Sequence, residues 1–287
     1  MMKVAIQGEI GSNSHMAALK MSEGETIEII SCHASADVFE QLAGGSVDVA
    51  VLPIENSLHG SVFEHYDLLL ENSVSVVGEL LLHIRHNVIA APEVKLEDLR
   101  QVLSHPVALS QCRKWLRSHP HIEAIASYDT AGSVKRLMAE GRRDMAGIAP
   151  LLAAEQYGAQ VLVAGIEDHA ENYTRFYRLA SEVLPYAPDA NKMSLAFSLE
   201  HKPGTLLEAL EGLRRAGVNL TKIESRPVPG RPWEYVFFLD LRFTEGTPMD
   251  VTLDELRRHC VMVRELGRYR AAEIVSKIEG SGIAPQL

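Results

Sequence analysis

Several short polar stretches in this chain combine side chains that could do chemistry with the turns that would present them. Gly8-Glu9-Ile10-Gly11-Ser12-Asn13-Ser14-His15 joins the apolar run Val4–Gln7 to a helical pattern opening Met16-Ala17-Ala18-Leu19. Strand, Gly/Ser turn and helix start in that order make an anion cradle, because first-turn N–H groups have no intrahelical acceptor. Ser12 and Ser14 would add hydroxyls to it. The same order is equally that of a plain strand-to-helix turn capped by Ser or Asn. A second stretch, Pro53-Ile54-Glu55-Asn56-Ser57-Leu58-His59-Gly60-Ser61-Val62, follows the buried run Val47–Leu52, which is expected to stop at Pro53. In open α/β sheets ligands gather beyond such strand ends. Ser104-His105-Pro106 ends a further short strand, with Gln111 and Cys112 seven and eight residues after Ser104, and Asn172-Tyr173-Thr174-Arg175-Phe176 opens another. Asn56, Ser57, Ser104 and Gln111 are neutral donors suited to carboxylate and keto oxygens. Arg175 offers a permanently charged planar fork for a carboxylate.

The twelve histidines show no His-Glu-x-x-His or similar metal-ligand spacing. His83 and His86 flank an arginine, His119 and His121 a proline, and most of the set is expected on the surface or in turns. Cys32, Cys112 and Cys260 are too few and too scattered for a disulfide framework. Cys112 reads as a small buried packing residue. No cofactor motif is present, and none is expected.

The elements that would position these residues alternate strand and helix through the first 180 residues, which predicts an α/β fold with mainly parallel sheets. The chain has 287 residues, 28 basic against 38 acidic, with a net charge of −10 and 46% hydrophobic residues. That composition excludes extended disorder and argues against coating nucleic acid. No apolar run reaches the ~20 residues of a membrane span, and the N-terminus enters a strand at once, so a cytoplasmic setting is expected. The acidic excess lies before residue 191, and the remainder is nearly neutral. The change falls at Leu184-Pro185-Tyr186-Ala187-Pro188-Asp189-Ala190-Asn191, read as a linker between two modules with separate jobs. After it the order βαββαβ over 192–270 is the ferredoxin-like motif, and 271–287 is expected to be a tail.

Five of these segments together resemble the prephenate dehydratase family. Pro53–Ser57 with Gly60-Ser61-Val62 is similar to its ENS motif, and Ser104-His105-Pro106 with Ala108-Leu109 and Gln111-Cys112 to its second motif. Asp129-Thr130-Ala131 is similar to its third, and Asn172–Phe176 carries its TRF signature. Asn219-Leu220-Thr221-Lys222-Ile223 followed by Glu224-Ser225-Arg226-Pro227 resembles its regulatory ACT domain. The chain departs from the pattern at Glu9, where the family has proline, at Asn13, where it has an aromatic residue, at Pro150 and at Thr205. The resemblance implies a two-lobed catalytic region, like a periplasmic binding protein, over 1–183. One lobe would comprise about 1–78 with 168–183, the other 79–167, and an ACT domain would occupy 192–270.

It also implies a reaction. Prephenate would lose CO2 and its ring hydroxide together to give phenylpyruvate, on the route to phenylalanine, with aromatisation as the driving force and no cofactor. Hydroxide leaves poorly, so a donor at that oxygen is the main requirement. The resemblance gives this role to Thr174, beside Arg175, Glu55 and Asn56. Glu55 could act as an acid if burial raises its pKa, or could orient Arg175. Ser12, Ser14, Ser57, Ser104, Gln111 and Phe176 would line the substrate site. ACT domains pair, implying a homodimer or homotetramer, and hold an amino acid, here phenylalanine, at Gly204, Thr205, Leu206, Asn219, Leu220, Glu224 and Ser225. Deleting the ACT region is expected to leave catalysis intact. A periplasmic-type binder, an arogenate dehydratase and an amino-acid sensor with a dead catalytic part are the rival readings.

Overall fold

The computed structural model describes residues 1–181, 188–228, 230–244 and 248–273. Residues 184–187 of the expected linker and the tail from 274 lie outside the described residues. The chain begins with β1 (Met2–Gln7), α1 (Asn13–Met21), β2 (Ile27–Cys32), α2 (Ser35–Ala43), β3 (Val49–Asn56), β4 (Gly60–Ser61), α3 (Phe63–Glu71) and β5 (Ser75–His83). It continues with β6 (Asn87–Ala90), β7 (Gln101–Ser104), α4 (Pro106–Ser110), α5 (Arg113–Ser118), β8 (Glu123–Ala126), α6 (Thr130–Ala139), β9 (Met145–Ala149), α7 (Leu151–Tyr157) and β10 (Gln160–Val163). It then returns as β11 (Tyr173–Ala180). The C-terminal part is β12 (Lys192–Ser198), α8 (Thr205–Arg215), β13 (Asn219–Pro227), β14 (Tyr235–Arg242), α9 (Met249–Arg257) and β15 (Met262–Tyr269).

Three sheets result, ordered β2-β1-β3-β11-β5 with β4 beside β3, then β10-β6-β9-β7-β8, then β13-β14-β12-β15. The first two are mixed rather than mainly parallel. β1 runs parallel to β2 and β3, but β11 is antiparallel to both β3 and β5, and β6 is antiparallel to β9 and β10. The cause is the double crossing between lobes, which inserts the returning strand against the chain direction. The crossings also lie later than expected. β5 stays paired with β11 as far as His83, so the chain leaves the first lobe at residues 84–86 and re-enters it at Tyr173. The run Ser75–His83 is one strand along its whole length, not a strand cut near 78.

β3 does not stop at Pro53. It pairs Asn56 with Thr174, Glu55 with Arg175 and Pro53 with Phe176, so Ile54 is an extra residue in a bulge. A bulge tolerates a proline that cannot serve the ladder. It also changes the parity of the strand, so that Pro53 and Asn56 share one face.

The third sheet buries both faces. On β12, Met193, Leu195 and Phe197 pack with Leu213 of α8 and Leu253 of α9. Ala196, with Val236, Phe238, Leu266 and Tyr269, joins Leu52, Ile54, Tyr66, Val76 and Tyr177 of the first lobe in one core. Gly267 of β15 lies so close to β5 that a Cβ there would sit 2.0 Å from the Val76 carbonyl oxygen. The two modules therefore share one core, which argues against the expectation that catalysis survives loss of the C-terminal one. A chain ending at residue 181 should show no cooperative thermal transition in calorimetry, because its sheet face would lose that apolar cover.

Candidate active site

A cleft of about 420 Å³ lies between the lobes. Its first-lobe wall comes from the β1–α1 turn, the end of β3 and the start of β11; its second-lobe wall comes from α4, Gln111 and the start of α6. Two glycines set how closely the lobes approach. Gly8 (φ +95°) would place a Cβ 2.6 Å from Asp129 Oδ2, and Gly11 (φ +91°) would place one 2.9 Å from Ala153 Cα. Tyr128 OH donates to Glu9 Oε1 at 2.6 Å, Lys135 Nζ lies 2.8 Å from Glu9 Oε2, and Tyr157 OH donates to the Ile10 carbonyl at 2.7 Å. Burial acts to raise the Glu9 pKa, but Lys135 and Tyr128 together hold it below the usual value. Glu9, which stands at the family's proline position, thus ties the lobes together.

One hydrogen-bond chain orders the cleft floor, and its direction is set by backbone donors. The Leu58 and His59 amides both donate to Asn56 Oδ1 at 3.0 Å, so the other Asn56 atom is the NH2 group. The two protons of that Nδ2 are shared among Asn172 Oδ1 (2.8 Å), Thr174 Oγ1 (3.0 Å) and, at the longest distance, the Tyr173 carbonyl (3.2 Å). Asn172 Nδ2 then donates to Gln111 Oε1 at 3.0 Å, and Gln111 Nε2 reaches His59 Nδ1 at 3.0 Å. Asn172 and Gln111 are buried. Because Thr174 Oγ1 accepts from Asn56, its own proton is left to donate into the cleft that Thr174 lines.

Arg175 and Glu55 are not in the cleft. Strand alternation sends them to the opposite face from Thr174 and Asn56. There Arg175 pairs with Asp240 and with Glu79 (3.4 Å), and its Nη2 lies 3.1 Å from Glu55 Oε2. Lys192 Nζ lies 2.8 Å from Glu79, and Lys222 Nζ 2.8 Å from Glu55. Three cations and three carboxylates therefore join the first lobe to the third sheet. Asp240 also accepts from Ser194 Oγ at 2.5 Å. Burial pushes its carboxyl up, but Arg175 and Lys192 outweigh burial and hold it below the ordinary range.

Of the other expected site residues, Ser12, Ser14, Gln111 and Phe176 line the cleft with Asn56 and Thr174. Ser104 is fully buried and donates to the Ile148 carbonyl at 2.6 Å, and Ser57 Oγ accepts from the Tyr173 amide at 3.0 Å. Both serve the backbone. Most of the histidines are exposed or partly exposed, as expected, but four of them reach the cleft. His33, His65, His86 and His105 line the cleft, and burial lowers the pKa of His65, His86 and His105. Asp129, raised by burial, and Thr130 also line it. The Asp129-Thr130 motif was the available sequence signal for these two; nothing in the spacing of the histidines marked them.

A second cavity, about 600 Å³, opens at the start of α8 and is lined by Gly204, Thr205, Leu206, Trp233 and Tyr235 among others. Thr205 Oγ1 donates to the Glu200 and Lys202 carbonyls, so it tethers the preceding loop. Asn219 and Leu220 do not line this cavity, since they pair with Arg242 and Leu241 at the other end of β14. Glu224 does not line it either. It accepts from Ser61 Oγ at 2.8 Å, facing the first lobe, while Ser225 is exposed on the opposite side of β13.

Residues 4–183 match the family model described as prephenate dehydratase. Arogenate dehydratase/prephenate dehydratase 2, chloroplastic, of Arabidopsis thaliana is 38% identical over 283 residues, covering 93% of this chain and 72% of that protein. The solved prephenate dehydratase of Arthrobacter aurescens in complex with L-Phe is 30% identical with a TM-score of 0.84, covering 94% and 90% of the two chains. A structure described as a novel type of quorum quenching acylase is 32% identical with a TM-score of 0.85, covering 94% and 98%.

The depressed Asp240 pKa gives a pH test. A carboxyl held below its unfolded value of about 3.9 stabilises the protein above that pH, and the contribution is lost as pH falls through the folded value. Thermal melts between about pH 7 and pH 3 should therefore show Asp240→Asn already destabilised at neutral pH, with a shallower loss below about pH 4 than the wild type. Parallel melting curves would refute the assignment.

Proposed function

We infer the reaction from one premise: the chain belongs to the prephenate dehydratase family. It is a dehydratase, a carbon–oxygen lyase of phenylalanine biosynthesis that converts prephenate to phenylpyruvate. What the residues contribute is our reading. Prephenate carries two carboxylates, a ring hydroxyl and a pyruvyl arm, yet no lysine or arginine is among the residues lining the cleft. Its charges would be met by the N-terminal amides of α1, by Ser12 and Ser14, and by neutral imidazoles. Phe176, Ile84, Val62 and Val107 offer the apolar surface that receives the ring and keeps water out.

The observation that carries the mechanism is the Asn56–Thr174 bond. A hydroxyl whose lone pair is already engaged presents its hydrogen, so Thr174 would donate to the oxygen that departs. A positioned donor of this kind is effective because no reorganisation is needed as charge develops. An acylase reading, after the quorum quenching relative, would need a base beside a nucleophile. The partner recorded for the Thr174 hydroxyl is an amide donor, which favours dehydration.

The C-terminal βαββαβ sheet acts, in this reading, as an ACT domain that takes phenylalanine at the α8 cavity, with Gly204, Thr205 and Leu206 at its carboxylate. Gly204 has φ +90°, which opens the first turn of α8 toward the cavity. Lys222, Glu224 and Arg226 alternate along β13 and bond Glu55, Ser61 and Asp67 of the first lobe. Movement of β13 would pull on Glu55, next to Asn56, and so on the orientation of Thr174. Pairing through the third sheet would make the enzyme a homo-oligomer.

Replacing Thr174 with Val keeps the shape and removes the donor. In a phenylpyruvate-release assay kcat should fall about 10²-fold or more with little change in thermal stability. A kcat near that of the wild type would remove Thr174 from the mechanism. Lys222→Met should retain phenylalanine binding by calorimetry but lose most of the inhibition, which as a coupling is about 5–150-fold in affinity. Undiminished inhibition in that variant would break the proposed route.

A further inference from the structure

Among the four histidines lining the cleft, His86 is held differently from the rest. His65 uses both ring nitrogens, one on Ser35 Oγ at 2.8 Å and the other on the Pro53 carbonyl. His105 Nδ1 accepts from the Val107 amide at 3.2 Å and caps α4, and His33 is exposed and stacks on Tyr128. His86 is 2% exposed. Its Nε2 lies 2.7 Å from Gln111 Oε1, while its Nδ1 is buried with no protein partner.

The cleft's hydrogen-bond chain fixes which nitrogen carries the proton. The Leu58 and His59 amides make Asn56 Nδ2 a donor, which makes Asn172 Nδ2 a donor to Gln111 Oε1. Gln111 Oε1 can only accept, so His86 Nε2 is the N–H and Nδ1 is the bare lone pair. Any proton that the ring gains must therefore go to Nδ1. The same chain carries Thr174 at its other end, so both groups are aligned by one set of bonds.

We propose that His86 is the general acid of the dehydration, delivering a proton from Nδ1 to the ring hydroxyl of the substrate while Thr174 donates a hydrogen bond to the same oxygen. This rests on the prephenate reading above. The reaction consumes one proton: a dianion becomes a monoanion, CO2 and water. That proton comes from solvent as the dianion enters a cleft lined by no lysine or arginine, where a negative charge raises the proton affinity of a nearby imidazole. The C–O bond then breaks toward the protonated oxygen, which leaves as water. The C–C bond to the ring carboxylate breaks, its electron pair enters the ring and CO2 departs. Neutral His86 remains, with its Nε2–H still donated to Gln111 Oε1.

The groups that face the ring are compatible with this cycle. Glu167, on the loop before β11, accepts from the His86 backbone amide at 2.9 Å and favours the cation. Burial acts the other way and is the larger influence, lowering the pKa in the free protein. Gln111 bonds the ring directly, with His59 beyond it, and Asp168 lies on the same loop as Glu167. The charge of the bound substrate is what shifts the balance.

His86→Gln is the discriminating variant, because the glutamine amide can reach the Nε2 position and donate to Gln111 while nothing replaces Nδ1. Phenylpyruvate release is followed for both enzymes from about pH 6 to pH 9. The wild type should lose kcat as pH rises, since the protonated ring is required, and the variant should be about 10²- to 10⁴-fold slower, with KM within about threefold and no alkaline decline. A variant kcat within about threefold of the wild type, or one that keeps the wild-type decline, overturns the proposal. So does a wild-type kcat that is flat across the range, a result that does not depend on the variant folding. A wild type inert on prephenate overturns the substrate reading, and the role of His86 with it.

Discussion

A β-strand cannot turn two successive side chains to one face, and this molecule is organised around that constraint at β11. Thr174 and Phe176 face the cleft; Arg175 and Tyr177 face the third sheet. One short segment therefore serves catalysis on one side and domain attachment on the other. The bulge at Ile54 matches β3 to this division. It brings both Pro53 and Asn56 to the cleft while Glu55 remains behind with Arg175. A shift of one residue in this pairing would exchange the two faces, sending a guanidinium into the cleft and a threonine into the interface.

The two sides handle charge in opposite ways. Behind the strand, Arg175, Lys192, Glu79 and Asp240 are buried together, and each loses solvation that its partners must replace, with Lys222 and the partly exposed Glu55 at the edge of the cluster. Removal of Arg175 or Asp240 would leave buried partners short of compensation, which is how the cluster ties the C-terminal sheet to the catalytic lobe. In front of the strand the wall has amides, hydroxyls, helix N-termini and imidazoles, together with the carboxyls of Glu64 and Asp129, and no lysine or arginine. Such a wall holds an anion without locking it to a permanent charge, and it leaves room for a proton to arrive with the substrate.

The sequence disclosed the elements and their order well, because strand–helix alternation and the βαββαβ pattern are local signals. It disclosed Thr174, Asn56 and Gln111 through motifs. It misplaced Arg175, although period-two alternation alone says that Thr174 and Arg175 cannot share a cleft; of its two readings of Glu55, the carboxylate beside Arg175 is the one the structure shows. It missed His86, since an isolated histidine beside an arginine has no spacing to mark it. The proline-rich stretch suggested separable modules; Asp240 and Ser194, polar residues inside apolar strands, were the signs that those strands have a partner elsewhere. Glu224 was assigned to an effector because its motif was known, whereas its side chain is engaged by Ser61.

The central claim is that Asn56 acts on the reaction through Thr174. A double-mutant cycle on kcat, comparing Asn56→Ala, Thr174→Val and the pair with the wild type, tests this most directly. The double variant should be no more than about threefold slower than Thr174→Val alone, because a hydroxyl that is absent cannot be oriented. Losses that multiply across the two substitutions would contradict the account and assign Asn56 an independent contact with the substrate.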